Sequence, residues 1–182
     1  RTGTGERHDV TLPDGSQLAL NTRTAVDVAY DNQRRLLLLR SGEILIETAH
    51  DAATRDAARP FFVDTPHGRV QALGTRFLVR SEAEHTRVTV LDKAVEVLPA
   101  GGVQEAIRLQ AGTGIEFDRD GFVGSVSPVA AGADAWQQGS LIADNMPLAG
   151  LLEELGRYRS GIIACDPAIA DLKISGAFPV AD

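Results

Sequence analysis

Few residues of this chain stand in patterns that could do chemistry. The four histidines are His8, His50, His67 and His85. None has the i, i+4 spacing of zinc ligands on one helix, and none belongs to a nucleophile motif. His67 lies in a Pro-His-Gly turn, where we expect it to face solvent. The chain also has no phosphate-binding loop, because Gly112-Thr113-Gly114 lacks the Lys and the helix that such a loop needs. We therefore predict no metal, no cofactor and no enzyme acting on a separate substrate.

Gly74 and Thr75 are the pair with the most distinctive surroundings. Two predicted strands, Arg69 to Ala72 and Arg76 to Arg80, flank them, and the Thr75 hydroxyl directly follows the glycine. Glycine inside a strand pattern often marks a bulge or a close approach of the backbone. The pattern predicts a kink between two strands.

Composition excludes several classes of protein. Of the 182 residues, 43% are hydrophobic and 24% charged, as in ordinary globular domains. The net charge of −7, with no basic cluster larger than Arg34-Arg35, excludes nucleic-acid binding. No apolar run reaches the length of a membrane span. Cys165 is the single cysteine, so neither an intrachain disulfide nor a cysteine metal cluster can form, and we expect it in a core. The chain lacks both a starting Met and a secretory signal, and we expect it to be a piece of a longer protein.

Short strands separated by turns dominate the first two thirds of the chain. The turn Asp14-Gly15 predicts a hairpin, and a second turn is predicted at Ser41-Gly42. Leu36 to Leu39 is apolar on both faces, which indicates two packed layers. The residues from Thr48 to Arg59 are expected to form a mobile excursion or a short helix. These observations predict a mainly β domain over residues 1–126, a multi-stranded β-sandwich or β-roll. The predicted strands are Val10–Leu12, Leu18–Leu20, Ala25–Tyr30, Arg35–Leu39, Glu43–Glu47, Phe61–Asp64, Arg69–Ala72, Arg76–Arg80, Arg87–Leu91, Ala94–Leu98, Ile107–Gln110 and Gly114–Phe117.

A different organisation is predicted beyond residue 126. Residues 127–135 are small and flexible, as in a linker, and residues 136–182 form a small α+β unit. Its helix would be capped by Asn145 and would have Pro147 in its first turn. The apolar stripe of the helix is Leu148, Leu151, Leu152, Leu155 and Tyr158. The strands predicted around it, which make a β-α-β-β unit, are Leu141–Ala143, Ile162–Cys165 and Leu172–Phe178. Because about 45 residues cannot bury a full core, the unit must dock on the β domain or be completed by residues beyond Asp182, and we expect Trp136 to anchor the junction.

Taken together, these segments resemble the FecR family from Asp9 to Phe178. The resemblance is carried by the order and spacing of the following segments, which are Leu12-Pro13-Asp14-Gly15-Ser16, Gly42-Glu43, Phe61 to Gly68, Leu73-Gly74-Thr75-Arg76-Phe77, Val88 to Leu91, Trp136 to Leu141, Asn145 to Leu148, Leu155 to Tyr158 and Ile174 to Phe178. The chain departs from the family pattern at Asp92-Lys93-Ala94, where a Gly is common between the strands.

The resemblance implies a membrane-anchored regulator of a sigma factor. This region would be its periplasmic part, with a cytoplasmic anti-sigma segment and one transmembrane helix of the inner membrane preceding it. Its C-terminal unit would be similar to the short N-terminal signalling domains of secretins and TonB-dependent transporters. It would receive a signal from the signalling domain of a TonB-dependent outer-membrane transporter for iron or siderophore uptake, and an extracytoplasmic-function sigma factor would respond through the cytoplasmic segment. The resemblance further implies self-cleavage between Gly74 and Thr75, although an ordinary glycine bulge explains that pair equally well.

The partner-binding surface has two candidates on the C-terminal unit. One is an exposed edge formed by the last predicted strand, with Leu172, Ile174, Gly176 and Phe178. The other is the apolar stripe of the helix. Two further functions stay open, a β-sandwich that binds carbohydrate or another envelope polymer, and a structural roll that self-associates. The low aromatic content of 5% disfavours the first, because sugars stack on exposed aromatic rings.

Overall fold

The computed structural model describes residues 1–50, 59–102 and 104–180, and its fold is mainly β, as predicted. Residues 51–58, which make up most of the predicted excursion, lie outside this part. The strands are β1 (His8–Thr11), β2 (Gln17–Leu20), β3 (Ala25–Val28), β4 (Arg35–Glu47), β5 (Phe61–Thr65), β6 (Gly68–Ala72), β7 (Arg76–Ser81), β8 (Thr86–Asp92), β9 (Ala94–Pro99), β10 (Ile107–Gln110), β11 (Thr113–Phe117), β12 (Phe122–Pro128), β13 (Ser140–Pro147) and β14 (Lys173–Pro179). The helix α1 spans Leu148–Gly156, and two short 3-10 helices span Ala135–Gln138 and Pro167–Ile169.

Strand β4 joins two half-sheets. Its first half pairs with β3 and, in parallel, with β5, in a half-sheet ordered β3-β4-β5-β6-β9-β10. Its second half pairs with β2 and β7, in a half-sheet ordered β1-β2-β4-β7-β8-β11-β12. The turn predicted at Ser41-Gly42 is therefore wrong, because the chain continues there as one strand. Gly42 has φ +90°, and a Cβ on it would lie 2.4 Å from the Thr24 hydroxyl, so this corner requires glycine.

The main hydrophobic core lies between the two half-sheets. The central strands of both half-sheets contribute alternate residues to it, as the period of two along a strand requires. Fully buried examples are Leu37 and Leu39 from one half-sheet and Ile44, Phe77 and Val79 from the other. The two packed layers indicated by the apolar run in β4 are thus present, in a sandwich-like arrangement.

A second cluster covers the outer face of the half-sheet that contains β7. Three residues of this half-sheet alternate with core residues along their strands and therefore point outward, yet they are buried. They are Ala19, Leu45 and Leu78. The residues that cover them, Trp136, Tyr158 and Val180, come from the C-terminal segment. The segment from Ala135 to Val180, called the C-terminal unit below, therefore forms a third layer on the sandwich.

The C-terminal unit differs from its prediction in three places. Strands β13 and β14 pair antiparallel with α1 between them in sequence, so the unit is β-α-β rather than β-α-β-β. Ile162–Cys165 forms no strand, because no described strand lies beside it, and Ile162 is 97% exposed. Cys165 is consequently half-buried outside either core. Asn145 does not cap α1, because it lies in a bulge of β13 with φ +52°, and Pro147 occupies the cap position.

His67 and β12 also differ from what the sequence predicts. His67 is buried rather than exposed, because its turn folds under the loop between β7 and β8. Its Nδ1 lies 3.0 Å from Thr86 Oγ1 and its Nε2 lies 3.2 Å from the Ala83 carbonyl oxygen. Strand β12, which the sequence pattern missed, extends to Pro128 and so includes the first residues of the predicted linker. In the described part of the chain, no helix is long and apolar enough to span a membrane.

Candidate functional site

The Gly74–Thr75 pair forms the connection between β6 and β7. Gly74 has φ +73°, in the left-handed region that side chains disfavour. A Cβ on it would meet only the Lys93 amine, at 4.0 Å, so the backbone conformation rather than crowding selects glycine here. On its amino-terminal side, the Leu73 N–H donates to the Ala94 carbonyl oxygen at 3.2 Å. The predicted kink is therefore a left-handed turn held against the start of β9.

Thr75 is buried and its backbone is held on both sides. Its N–H donates to Thr48 Oγ1 at 2.8 Å, and its carbonyl oxygen accepts from the Thr48 N–H at 3.1 Å. Its hydroxyl donates to the Asp92 carbonyl oxygen. Among the described residues, no carboxylate, imidazole or amine lies within hydrogen-bond distance of that hydroxyl. The hydroxyl is thus held in place by the Asp92 carbonyl oxygen, and no side-chain base contacts it among the described residues.

An ion network fastens the C-terminal unit to the sandwich. Arg157 donates to Glu43 of β4 at 2.8 Å and to Glu154 of α1 at 3.0 Å. Arg80 of β7 donates to the other oxygen of Glu154 at 2.6 Å. These four side chains are between 11% and 22% exposed. Because they lie on separate layers, their pairing fixes where α1 sits on the half-sheet.

The charges of this network shift the pKa values of Glu154 and of both arginines. Burial alone would raise the pKa of the Glu154 carboxyl, but the guanidinium groups of Arg80 and Arg157 outweigh it and hold that pKa below 4.5. Burial likewise opposes the charge of Arg157, yet Glu43 and Glu154 raise its pKa above the usual value. Glu154 and both arginines therefore stay charged when docked at neutral pH.

Polar contacts continue around the network. The Asn21 side-chain amide donates to Glu43 at 2.8 Å and to the Tyr158 hydroxyl at 2.7 Å. Burial raises the pKa of Tyr158, which keeps its hydroxyl protonated. This site was not predicted from the sequence. Its only signal was the i, i+3 spacing of Glu154 and Arg157, which is common on helix surfaces.

Trp136 lies between the sandwich and the C-terminal unit. It is 4% exposed and packs in the second cluster. Its carbonyl oxygen accepts from Arg7 of the sandwich at 2.6 Å. Its indole Nε1 has no hydrogen-bond partner among the described residues. A buried donor without a partner costs about 1–3 kcal/mol, so part of the stabilisation by docking is offset here.

The residues predicted for partner binding lie on or beside β14. Leu172 is 56% exposed just before the strand, Ile174 and Phe178 are half-buried on one face, and Gly176 is exposed between them. One edge of β14 pairs with β13, and no described strand pairs with the other edge. None of these residues shares a hydrogen bond with the Gly74–Thr75 turn.

The orientation of the backbone groups along β14 follows from its pairing. The Val180 N–H donates to the Gly139 carbonyl oxygen at 2.9 Å, and Leu141 and Ala143 lie opposite Phe178 and Gly176. Hydrogen-bonded pairs alternate in an antiparallel ladder, so the N–H groups of Phe178 and Gly176 face β13. The N–H of Ala177 therefore points to the open edge. Pro179 fits this alternation, because a residue without an N–H is tolerated where the nitrogen faces outward.

Comparisons with known proteins give one family and a set of solved relatives. The family model described as FecR protein matches residues 1–96, from the amino-terminal residue to the middle of β9. A crystal structure of a proposed anti-sigma factor from Parabacteroides distasonis ATCC 8503 is similar over the whole chain. It shares 27% identity, its TM-score is 0.77, and the match covers 84% of its own length. A second structure described in the same words, from the same organism, gives 26% identity and a TM-score of 0.73, with the same coverage of both chains. No curated protein matches closely enough to count as a relative.

Proposed function

Because the chain belongs to the FecR family, we propose that it is the periplasmic sensor portion of a transmembrane anti-sigma factor. The full protein is anchored in the inner membrane by one transmembrane helix and meets its sigma factor only through a cytoplasmic segment. The domain is not an enzyme acting on a separate substrate. The similarity over the whole chain to a proposed anti-sigma factor, at 27% identity, is the observation that carries this proposal.

The partner that delivers the signal is the signalling domain of a TonB-dependent outer-membrane transporter for iron or siderophore uptake. The C-terminal unit supports this, because it presents an open strand edge on β14 while its other side packs on the sandwich. Backbone hydrogen bonds at such an edge supply affinity, and alternate side chains supply selectivity. A strand of the transporter would therefore add beside β14.

Capture of outer-membrane proteins by the immobilised chain tests this proposal. The informative variant is Ala177→Pro, which removes the outward N–H of β14 and leaves the inward hydrogen bonds in place. The matched control is Ala177→Ser at the same position, which keeps the N–H. We expect the wild-type chain and Ala177→Ser to capture a TonB-dependent transporter, identified by mass spectrometry, and Ala177→Pro to lose it.

Other outcomes of this experiment separate the alternatives. Capture retained by Ala177→Pro would leave the transporter as the partner and would reject β14 as its binding edge. Capture of glycan or of further copies of the chain, without a transporter, would contradict the proposal and favour a polymer-binding or self-associating module.

Self-cleavage between Gly74 and Thr75 belongs to the same proposal. The Thr75 hydroxyl oxygen would attack the Gly74 carbonyl carbon, and the peptide C–N bond would break as the amine of Thr75 takes up the hydroxyl proton. Water would then hydrolyse the ester, giving a carboxylate at Gly74 and a free amine at Thr75. The left-handed φ of Gly74 and the fixed position of the hydroxyl support this chemistry.

Intact-mass measurement of the purified chain over time tests the cleavage. We expect fragments of residues 1–74 and 75–182 from the wild-type chain and from Thr75→Ser, which keeps a hydroxyl. Thr75→Ala should remain whole. Equal fragmentation of Thr75→Ala would reject a hydroxyl mechanism and would indicate a contaminating protease.

A further inference from the structure

All three outward side chains of β7 contact the C-terminal unit or Asp134 directly before it. Phe77 and Val79 point into the main core and are fully buried, so the alternate residues Arg76, Leu78 and Arg80 point to the opposite face. The C-terminal unit and the residues just before it cover that face. Among the described residues, β7 is the strand of the sandwich whose outer face has an ion pair at each end, one to Asp134 and one to the unit, with an apolar contact between them.

The three contacts are of different kinds. Arg76 forms an ion pair with Asp134 at 2.8 Å, directly before the 3-10 helix that holds Trp136. Leu78 is buried in the second cluster. Arg80 forms an ion pair with Glu154 of α1 at 2.6 Å. The unit is therefore attached to β7 at both ends and in the middle.

The first of these attachments is one residue away from the Gly74–Thr75 turn. Arg76 follows Thr75 in the chain, and its guanidinium also lies 3.5 Å from the Gln137 side-chain oxygen. The N–H and the carbonyl oxygen of Thr75 both bond to Thr48, which directly follows β4. These hydrogen bonds therefore depend on the position of β7 relative to β4. These bonds lie one position beyond Glu47 and Arg76, the last pair of the ladder between β4 and β7, and local opening costs least at the end of a ladder.

We infer that the outward face of β7 couples the docking of the C-terminal unit to the closed geometry of the Gly74–Thr75 turn. While the unit is docked, Arg76 and Arg80 hold β7 and the bonds between Thr75 and Thr48 stay closed. When a partner draws the unit away, β7 loses its outer support and the turn opens more often. The coupling acts in both directions, so opening of the turn also weakens docking. The inference rests on the proposed function in one respect, namely that the signal arrives at the C-terminal unit.

Amide hydrogen exchange in the intact chain, followed residue by residue by NMR, tests the coupling. The triple variant Asp134→Ala/Glu154→Ala/Leu155→Asp removes both ion pairs and places a carboxylate beside the second cluster, so that the unit separates from β7. The matched control is Glu116→Ala, which removes the ion pair of Arg87 on the neighbouring strands of the same half-sheet. The amide of Leu151 in α1 reports docking, and the amide of Thr75 reports the turn.

We expect exchange at the Thr75 and Leu151 amides to be at least about tenfold faster in the triple variant, because both ion pairs and the apolar contact that hold the docked state are disrupted. The control should leave both at the wild-type rates. Faster exchange at Leu151 with wild-type exchange at Thr75 would overturn the inference. Wild-type exchange at both amides would also overturn it, since these contacts would then hold neither element. No partner takes part in the experiment, so its failure is distinguishable from failure to capture a transporter.

Discussion

Replacing Arg157 by Met tests the ion network that docks the C-terminal unit. Methionine keeps an apolar stem in place and removes the guanidinium, which donates to Glu43 at 2.8 Å and to Glu154 at 3.0 Å. Glu43 is then left in a buried position with the Asn21 amide as its remaining donor.

The expected cost follows from the burial of the pair. Removing one partner of a fully buried ion pair costs about 3–5 kcal/mol, because the other charge is left uncompensated. The side chains of Arg157 and Glu43 are 19% and 11% exposed, so water screens part of that charge. We therefore expect a loss of about 2–3 kcal/mol in the free energy of unfolding, and a melting temperature lower by roughly 6 °C.

Urea unfolding followed by tryptophan fluorescence measures this loss. Trp136 is the single tryptophan and lies between the sandwich and the C-terminal unit, so its emission reports separation of the two. The matched control is Arg40→Met, which breaks the exposed pair with Asp27 and should cost at most about 0.5 kcal/mol. Equal losses from the two substitutions would refute the view that the network fastens the unit.

Three further outcomes follow from the same geometry. The pKa of Glu154 is lower in the folded state than its ordinary value of 4.5. The ionised carboxylate therefore stabilises the docked state fully at pH values above 4.5, and this stabilisation is lost as the pH falls through the lower pKa of the folded state. The free energy of unfolding should therefore fall less between neutral pH and pH values below 4.5 in Glu154→Gln than in the wild-type chain, as measured by urea titrations at each pH. Gly42→Ala should lower the free energy of unfolding by at least about 2 kcal/mol in the same assay. Gly112 also has a left-handed backbone but has open space around it, so Gly112→Ala should lower that free energy by about 1 kcal/mol. His67→Ala should lower the unfolding free energy by about 1–3 kcal/mol, because it leaves Thr86 Oγ1 without its imidazole partner; an exposed histidine would give a change near zero.

The sequence predicted the strands well where alternation was regular. Val88 and Val90 are fully buried, and the arginine between β8 residues Thr86 and Val88 faces outward, as a period of two requires. The apolar run in β4 correctly indicated a second layer. The local sequence could not show that β4 continues through Ser41-Gly42, because a left-handed glycine usually indicates a turn. Here the glycine is part of a strand only because the chain packs against Thr24 and pairs with the residues after it.

The candidate site was less predictable because it depends on contacts between distant segments. Arg157 and Glu43 are 114 positions apart, and no spacing in the sequence relates them. Ile162–Cys165 has the composition of a strand, yet a strand also needs a neighbour to pair with, and the described residues supply none. His67 was predicted to be exposed from its turn, and only the loop that folds over it makes it buried.

A measurement in cells tests the central claim, that this chain is the sensor portion of an anti-sigma factor. Transcripts would be compared between cells carrying the full-length protein with the wild-type chain, with Ala177→Ser and with Ala177→Pro, before and after iron limitation in the presence of siderophores. We predict that one set of genes under an extracytoplasmic-function sigma factor responds with the first two and loses its response with Ala177→Pro. An unchanged response in all three cells, and in cells from which the protein is deleted, would contradict the claim.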